Sequence, residues 1–107
     1  MTPAMFRKLA LSFPDAVESS HQAHPDFRAH GKVFASLGYP DAGHGSLKLT
    51  PAQQEAEMAQ HPDVFSPAAG AWGRRGYTVV ALKPATVTLL RRAMAAARAN
   101  VEPKKSR

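Results

Sequence analysis

The chain has 107 residues, which is enough for one domain with a single modest core. Its apolar content of 44% is ordinary for a globular protein, and the lack of cysteine excludes disulfides, thiolate nucleophiles and cysteine-based metal sites. Fourteen Lys and Arg against eight Asp and Glu give a formal charge of +6, which favours polyanionic partners. Since no apolar run reaches the ~18 residues of a membrane span and no signal core follows Met1, we expect a cytoplasmic protein with no membrane partner.

Part of this charge lies at the C-terminus. Three basic residues follow Pro103, and they are Lys104, Lys105 and Arg107. We expect a domain over residues 1–100 and a basic, flexible tail over 101–107. Without those three residues the formal charge is about +3, so the predicted domain is moderately basic.

The first elements are a helix and an edge strand. Thr2 and Pro3 are typical of a helix start, and apolar residues at helical spacing continue to a stop near Ser12. Residues 16–22 have mixed polarity and predict a strand at the edge of a sheet.

A β-hairpin is predicted over residues 24–38. His30-Gly31 suits a two-residue turn, because Gly31 readily adopts positive φ. In that register Phe27 faces Phe34 across the strands, and Arg28 faces Val33 on the other side of the sheet.

The second half alternates strands and helices. Residues 46–49 predict a short strand, and Thr50-Pro51 with Gln53 predicts a capped helix to about Gln60, whose weakly apolar face consists of alanines. A brief extended piece is predicted at 64–65, followed by a Gly-rich connection over 68–76 and a buried strand over 77–82. The last predicted element is a helix over 84–99, whose buried apolar stripe consists of Val87, Leu90, Met94 and Ala97.

This order of elements predicts an α+β domain of two layers. The order is one helix, three or four strands, a second helix, two strands and a last helix. Such an order is typical of a mostly antiparallel sheet with helices packed on one face. The other face is then open to water or to a partner, and some apolar residues are expected to remain on it.

Several kinds of chemistry are disfavoured. Gly43-His44-Gly45 lacks the third glycine of a dinucleotide loop, and Gly31-Lys32 is followed by Val33 where a phosphate-binding loop needs Ser or Thr. No serine lies in a nucleophile elbow, so we predict neither an enzyme nor a cofactor. Metal binding would depend on His21, His24 and Asp26, and the two histidines share a face only if a turn separates them. A full ligand set is not evident, so no metal is predicted.

Nucleic-acid binding is the chemistry that the residues favour most. Arg28, Lys32 and Lys48 are predicted on sheet strands, while Arg74-Arg75 lies at a Gly-flanked loop tip beside Trp72 and Tyr77. Such a basic loop could act as a wing on a phosphate backbone, and the aromatic rings could stack on the bases of a single strand. The alternative is a solvated basic surface with Trp72 in the core.

Four stretches of the sequence follow one another in this order: His24-Pro25-Asp26-Phe27-Arg28, Gly31-Lys32-Val33-Phe34-Ala35, Leu47-Lys48-Leu49-Thr50 and Ala71-Trp72-Gly73-Arg74-Arg75-Gly76. Together they resemble the MmcQ/YjbR-like family of small bacterial proteins, over about residues 6–97. The resemblance implies a CyaY-like, secretion-chaperone-like α+β fold and DNA binding through a double-wing arrangement. The acidic ridge of frataxin-like iron binding is not expected in this basic chain. The positions that match the family motifs are Phe27, Arg28, Gly31, Lys32, Lys48, Trp72, Arg74 and Arg75.

Two hypotheses for function follow. The first is a non-enzymatic DNA-binding module that uses Arg28, Lys32, Lys48, Trp72, Arg74 and Arg75. The second is a module that binds a protein or a small ligand on the open sheet face, and it requires apolar surface near Phe27, Val33, Phe34 and Trp72. The sequence does not indicate the oligomeric state.

Overall fold

Six antiparallel strands form one open sheet in the computed structural model, which describes residues 1–103. The strands lie in the order β1-β2-β3-β4-β6-β5, and four helices are present within the described residues. The elements in chain order are α1 (Pro3–Leu11), β1 (Val17–His21), β2 (His24–Ala29), β3 (Lys32–Leu37), β4 (His44–Lys48), α2 (Pro51–Gln60), β5 (Phe65–Pro67), α3 (Gly70–Arg74), β6 (Tyr77–Ala81) and α4 (Val87–Asn100). The predicted α+β class is confirmed.

The hydrophobic core lies between the sheet and the helices. The Phe6 ring of α1 packs on Phe27 of β2 with ring centroids 6.1 Å apart. From α4, Leu90 and Met94 are completely buried against the sheet. Burying side chains of this size contributes roughly 1.5–3 kcal/mol each, so packing on the helix face of the sheet stabilises the fold substantially.

Short-range capping explains where α1, α2 and α4 begin. The Thr2 hydroxyl accepts a hydrogen bond from the Met5 N–H, and at α2 the Thr50 and Gln53 side chains form the predicted capping box. The last helix begins at Val87 rather than at residue 84. The reason is Thr86, whose side chain accepts from the Leu89 N–H and fixes the first turn three residues later than predicted.

The β2–β3 hairpin departs from its predicted register at one residue. His30 and Gly31 form the turn with φ of 55° and 79°, and Arg28 pairs with Val33 as predicted. The predicted pairing of Phe27 with Phe34 is wrong, because a β-bulge makes Ala35 the partner of Phe27. The extra residue lets Phe34 and Ala35 both lie in the core, which a regular alternating strand does not allow.

Two further predictions are corrected by the structure. Residues 68–76 are not an irregular connection, since α3 forms within them and its last turn is closed by bonds from the Arg75 N–H to the carbonyls of Ala71 and Trp72. The buried face of α2 is polar rather than alanine-rich. It consists of Gln54, which bonds to backbone carbonyls, and Glu57, which accepts two hydrogen bonds from Arg92 of α4.

The described fold continues past residue 100. Val101 is buried, and Glu102 forms an ion pair of 2.8 Å with Arg98 and lies 3.2 Å from the His30 ring nitrogen of the hairpin turn. These contacts include the first two residues of the segment that was predicted as tail. Residues 104–107 of that segment lie outside the described residues.

Candidate functional site

The open face of the sheet is largely polar. Its central row crosses all six strands through directly paired residues, namely Ser19, Asp26, Ser36, Ser46, Val79 and Ser66. The hydroxyls of Ser36 and Ser46 are hydrogen-bonded to each other across β3 and β4. Phe27 and Phe34 are completely buried on the helix side. Apolar surface on the open face was expected near Phe27, Val33, Phe34 and Trp72, and neither phenylalanine contributes to it.

Four side chains at one end of this face form a row in which two aromatic rings lie between two cations. The Lys48 Nζ lies 6.0 Å from the centre of the Tyr77 ring. The Tyr77 and Trp72 rings are perpendicular with centroids 5.0 Å apart, and the Arg75 guanidinium carbon lies 5.5 Å from the centre of the Trp72 ring. We call Lys48, Tyr77, Trp72 and Arg75 the aromatic–cation cluster. Its geometry is that of cation–π and edge-to-face pairing.

Strand pairing and the short helix position this cluster. Lys48 of β4 pairs directly with Tyr77 of β6, and both side chains point to the open face because Leu47 and Thr78 point into the core. Within α3, a Cβ on Gly73 would lie 2.0 Å from the Ala68 carbonyl oxygen. Only glycine permits this close approach, which holds α3 against the preceding chain.

A buried amide fixes α3 relative to β6. Gln54 of α2 donates from its Nε2 to the carbonyl of Gly73 at 3.0 Å and to the carbonyl of Tyr77 at 2.9 Å. The first carbonyl belongs to the residue that follows Trp72, and the second belongs to Tyr77 itself. Gln54 is thus a positioning residue for both aromatic rings.

Trp72 is on the surface. The residue is 57% exposed, so the alternative that placed it in the core is wrong. It belongs to a short helix that packs through Gly73, and this arrangement turns the indole outward onto Tyr77. Tyr77 was predicted beside Trp72 at the basic loop, and its ring is the one that Trp72 contacts.

Arg28 lies on the open face but is held by a carboxylate. Its Nε and one terminal nitrogen donate to the two oxygens of Asp26 at 2.8 and 3.0 Å. These hydrogen bonds, and then the negative charge of Asp26, raise the pKa of Arg28 above its usual value. Asp26 itself is buried beneath this pair. The cation is therefore largely neutralised on the surface where it was predicted to bind a phosphate.

The other two predicted cations lie elsewhere. Lys32 follows the turn and pairs with the buried Ala29, so its side chain leaves the sheet on the helix side. Arg74 lines a groove beside Gln54 and Met58 of α2. Of the predicted binding residues, the structure brings together Lys48, Trp72 and Arg75, places Arg28 on the same face, and separates Lys32 and Arg74 from them.

The possible metal ligands His21, His24 and Asp26 can be compared with their placement within residues 1–103. A turn at Gln22-Ala23 does place His21 opposite His24, which meets the geometric condition for a shared face. Asp26, however, is occupied by Arg28. Within residues 1–103, no three His, Cys, Asp or Glu side chains lie close enough together to bind a metal ion.

Comparison with known proteins identifies the family. The model of the YjbR family matches residues 11–99. The fold is similar to the crystal structure of the Deinococcus radiodurans protein DR2400, which has a DUF419 domain. The TM-score is 0.74 at 17% identity, and the alignment covers 90% of this chain and 75% of that chain. No curated protein matches the chain. Across residues 1–103, no helix has the length and apolar character needed to cross a membrane. Because the family model spans most of the sequence, the chain belongs to the YjbR family.

Proposed function

We propose that the protein is a non-enzymatic DNA-binding module and that the aromatic–cation cluster is its binding surface. The observation that carries this proposal is the exposed Trp72 ring with a cation on either side of the Trp72–Tyr77 pair. Phosphates are bound by Lys and Arg, and exposed aromatic rings stack on bases. The formal charge of +6 attracts a polyanion to the surface before these contacts form.

Within this surface Lys48 and Arg75 have the phosphate-binding role. Both contact aromatic rings, and within residues 1–103 neither forms an ion pair with a carboxylate. Arg28 has a secondary role, because a phosphate would have to compete with Asp26 for its guanidinium. Lys32 and Arg74 do not belong to the proposed surface.

The experiment is fluorescence anisotropy with labelled DNA, as a single strand and as a duplex, over a range of salt concentrations. We expect binding at low salt that weakens as salt rises, since each phosphate contact releases bound counterions. The double variant Lys48→Ala/Arg75→Ala removes two contacts. Its log–log salt slope should be smaller in magnitude by about 1.4 for a single strand and about 1.8 for a duplex.

A matched control removes two charges from the helix side. Lys8 of α1 and Arg91 of α4 are both exposed, so Lys8→Ala/Arg91→Ala lowers the net charge equally without touching the cluster. We expect this variant to retain the slope of the unaltered protein. If the two double variants lose DNA affinity and salt slope equally, a localised binding surface is refuted. If neither DNA form binds at low salt, DNA binding itself is refuted.

A further inference from the structure

Building on the proposed DNA-binding function, we infer that the DNA bound at the aromatic–cation cluster is single-stranded. One unpaired base stacks on the Trp72 indole, while Lys48 and Arg75 contact phosphates of the same strand. The exposure of Trp72, the way its ring is held and the distribution of cations on the open face each favour a single strand over a duplex.

The exposed indole favours an unpaired base. In a duplex both faces of each base are covered by its neighbours, and an aromatic side chain reaches a base face only if the strand is unstacked. Trp72 is 57% exposed, and its indole is a large apolar group to keep in water without a ligand. A phosphate backbone alone does not make use of that area.

The ring is held ready for stacking. Tyr77 meets Trp72 edge to face at 88°, so this pair does not cover the indole by parallel stacking. Gln54 holds the backbone carbonyls of Gly73 and Tyr77 together, which limits the movement of one ring relative to the other. A base that stacks here meets a ring whose position is already set, and less conformational entropy is lost on binding.

The cations are too few and too localised for a duplex. Duplex-binding proteins contact both backbones or insert an element into a groove. Here α3 has only five residues and packs against β6, while α4 lies on the helix side of the sheet. The central row of the open face contains Asp26 and four serines, and Arg28 is engaged by Asp26. Cations beside aromatic rings are the pattern of single-strand sites.

The protein contains its own optical reporter for this test. Trp72 is the only tryptophan in the chain, so intrinsic tryptophan fluorescence reports on this ring alone. The probes are oligothymidine and the same strand annealed to oligoadenosine, each titrated at low salt. We expect tighter binding of the single strand, with quenching of Trp72 that saturates together with the anisotropy change. The duplex should bind more weakly and leave the fluorescence nearly unchanged.

Substitutions separate stacking from charge. Trp72→Ala should weaken single-strand binding by about 5- to 160-fold, which is the effect of losing one base–aromatic stack, and Trp72→Phe should restore most of it. Tyr39→Ala is the matched control, since Tyr39 is 56% exposed and lies outside the cluster. Circular dichroism checks that each variant is folded.

The outcomes distinguish failure of the single-strand inference from failure of the proposed DNA-binding function. Equal or tighter binding of the duplex, or single-strand binding without Trp72 quenching, would overturn the single-strand inference and leave DNA binding intact. An equal loss from Tyr39→Ala and Trp72→Ala would also overturn it. If neither probe binds at low salt, the proposed function itself is refuted.

Discussion

The Asp26–Arg28 pair shows how one residue can change the role of another on the same face. The two residues are two apart on β2, so their side chains lie on the same side of the strand and meet through two hydrogen bonds. Asp26 is only 3% exposed, and removing its charge would leave Arg28 available to another anion. The pair therefore limits the charge that the open face presents.

The substitution Asp26→Asn tests this limit. It removes a negative charge from the open face and releases Arg28, which can then form an ion pair with a DNA phosphate. An ion pair at the surface contributes ~1 kcal/mol, so we expect DNA affinity at low salt to rise by about fivefold. The free energy of unfolding should fall by about 1–3 kcal/mol because charge-assisted hydrogen bonds are lost. Anisotropy and urea unfolding measure the two effects.

Glu55→Gln provides the control for net charge. Glu55 is exposed on α2, on the helix side, and its substitution changes the formal charge by the same amount. If Asp26→Asn binds DNA no more tightly than Glu55→Gln, Arg28 has no part in binding.

At the scale of elements, α2 supports the site without contributing to its surface. Gln54 links α2 to α3 and β6, and Asn100 at the end of α4 donates to the Gln53 side chain and to the Lys48 carbonyl. The two helices on the covered face thereby determine the positions of residues that point to the open face. Polar residues in a buried helix face are retained here because their hydrogen bonds are satisfied.

Gln54→Leu is expected to reduce both stability and binding. Leucine has a similar size but donates no hydrogen bond, so the carbonyls of Gly73 and Tyr77 lose a donor, at a cost of about 1–3 kcal/mol. Looser placement of α3 should also weaken DNA binding. Urea unfolding and anisotropy measure these changes, with Gln60→Leu on the exposed end of α2 as control. Unchanged DNA affinity in a destabilised Gln54→Leu protein would show that the amide has no positioning role.

At the scale of the whole molecule, two carboxylates make the fold sensitive to acid. The hydrogen bond with the His44 ring, and then that from the Gly43 N–H, lowers the pKa of Asp41. The hydrogen bond from Arg98, and then the charges of Arg98 and His30, lower the pKa of Glu102. Asp41 accepts a hydrogen bond from the Gly43 N–H in the loop before β4, and Glu102 links Arg98 of α4 to His30 of the hairpin turn.

The sign of the pH effect follows from these shifts. A carboxyl group whose pKa is lower in the folded state stabilises the protein above its unfolded pKa, and that contribution is lost as the pH falls through the folded pKa. We therefore expect stability to be full above about pH 4.5 and to decline below it. Urea unfolding at a series of pH values should show a shallower acid decline for Asp41→Asn/Glu102→Gln than for the unaltered protein. As a control, Glu55→Gln/Asp63→Asn changes two exposed carboxylates and should retain the steep loss of stability with falling pH. If both double variants lose stability equally steeply, Asp41 and Glu102 are not the source of the acid sensitivity.

Short-range signals made much of the fold predictable. Helix caps act over three or four residues, and thus the starts of α1 and α2 at Thr2 and Thr50 were predicted correctly. The His30-Gly31 turn was predictable for the same reason, since its backbone conformation depends on the two residues themselves. The order of elements then indicated an α+β sheet with one covered face.

The candidate site was only partly predictable because its geometry depends on contacts between distant parts of the chain. Lys48 and Tyr77 meet through the β4–β6 register, and Trp72 is turned outward by a helix that depends on Gln54 and Gly73. The bulge at Phe34 likewise reflects how the core fills, which no local pattern encodes. The sequence by itself determined the family, most of the elements and the residue types at the site, whereas α3 was not predicted. Only the tertiary structure decided which cations converge, because register and packing are set by the whole core at once.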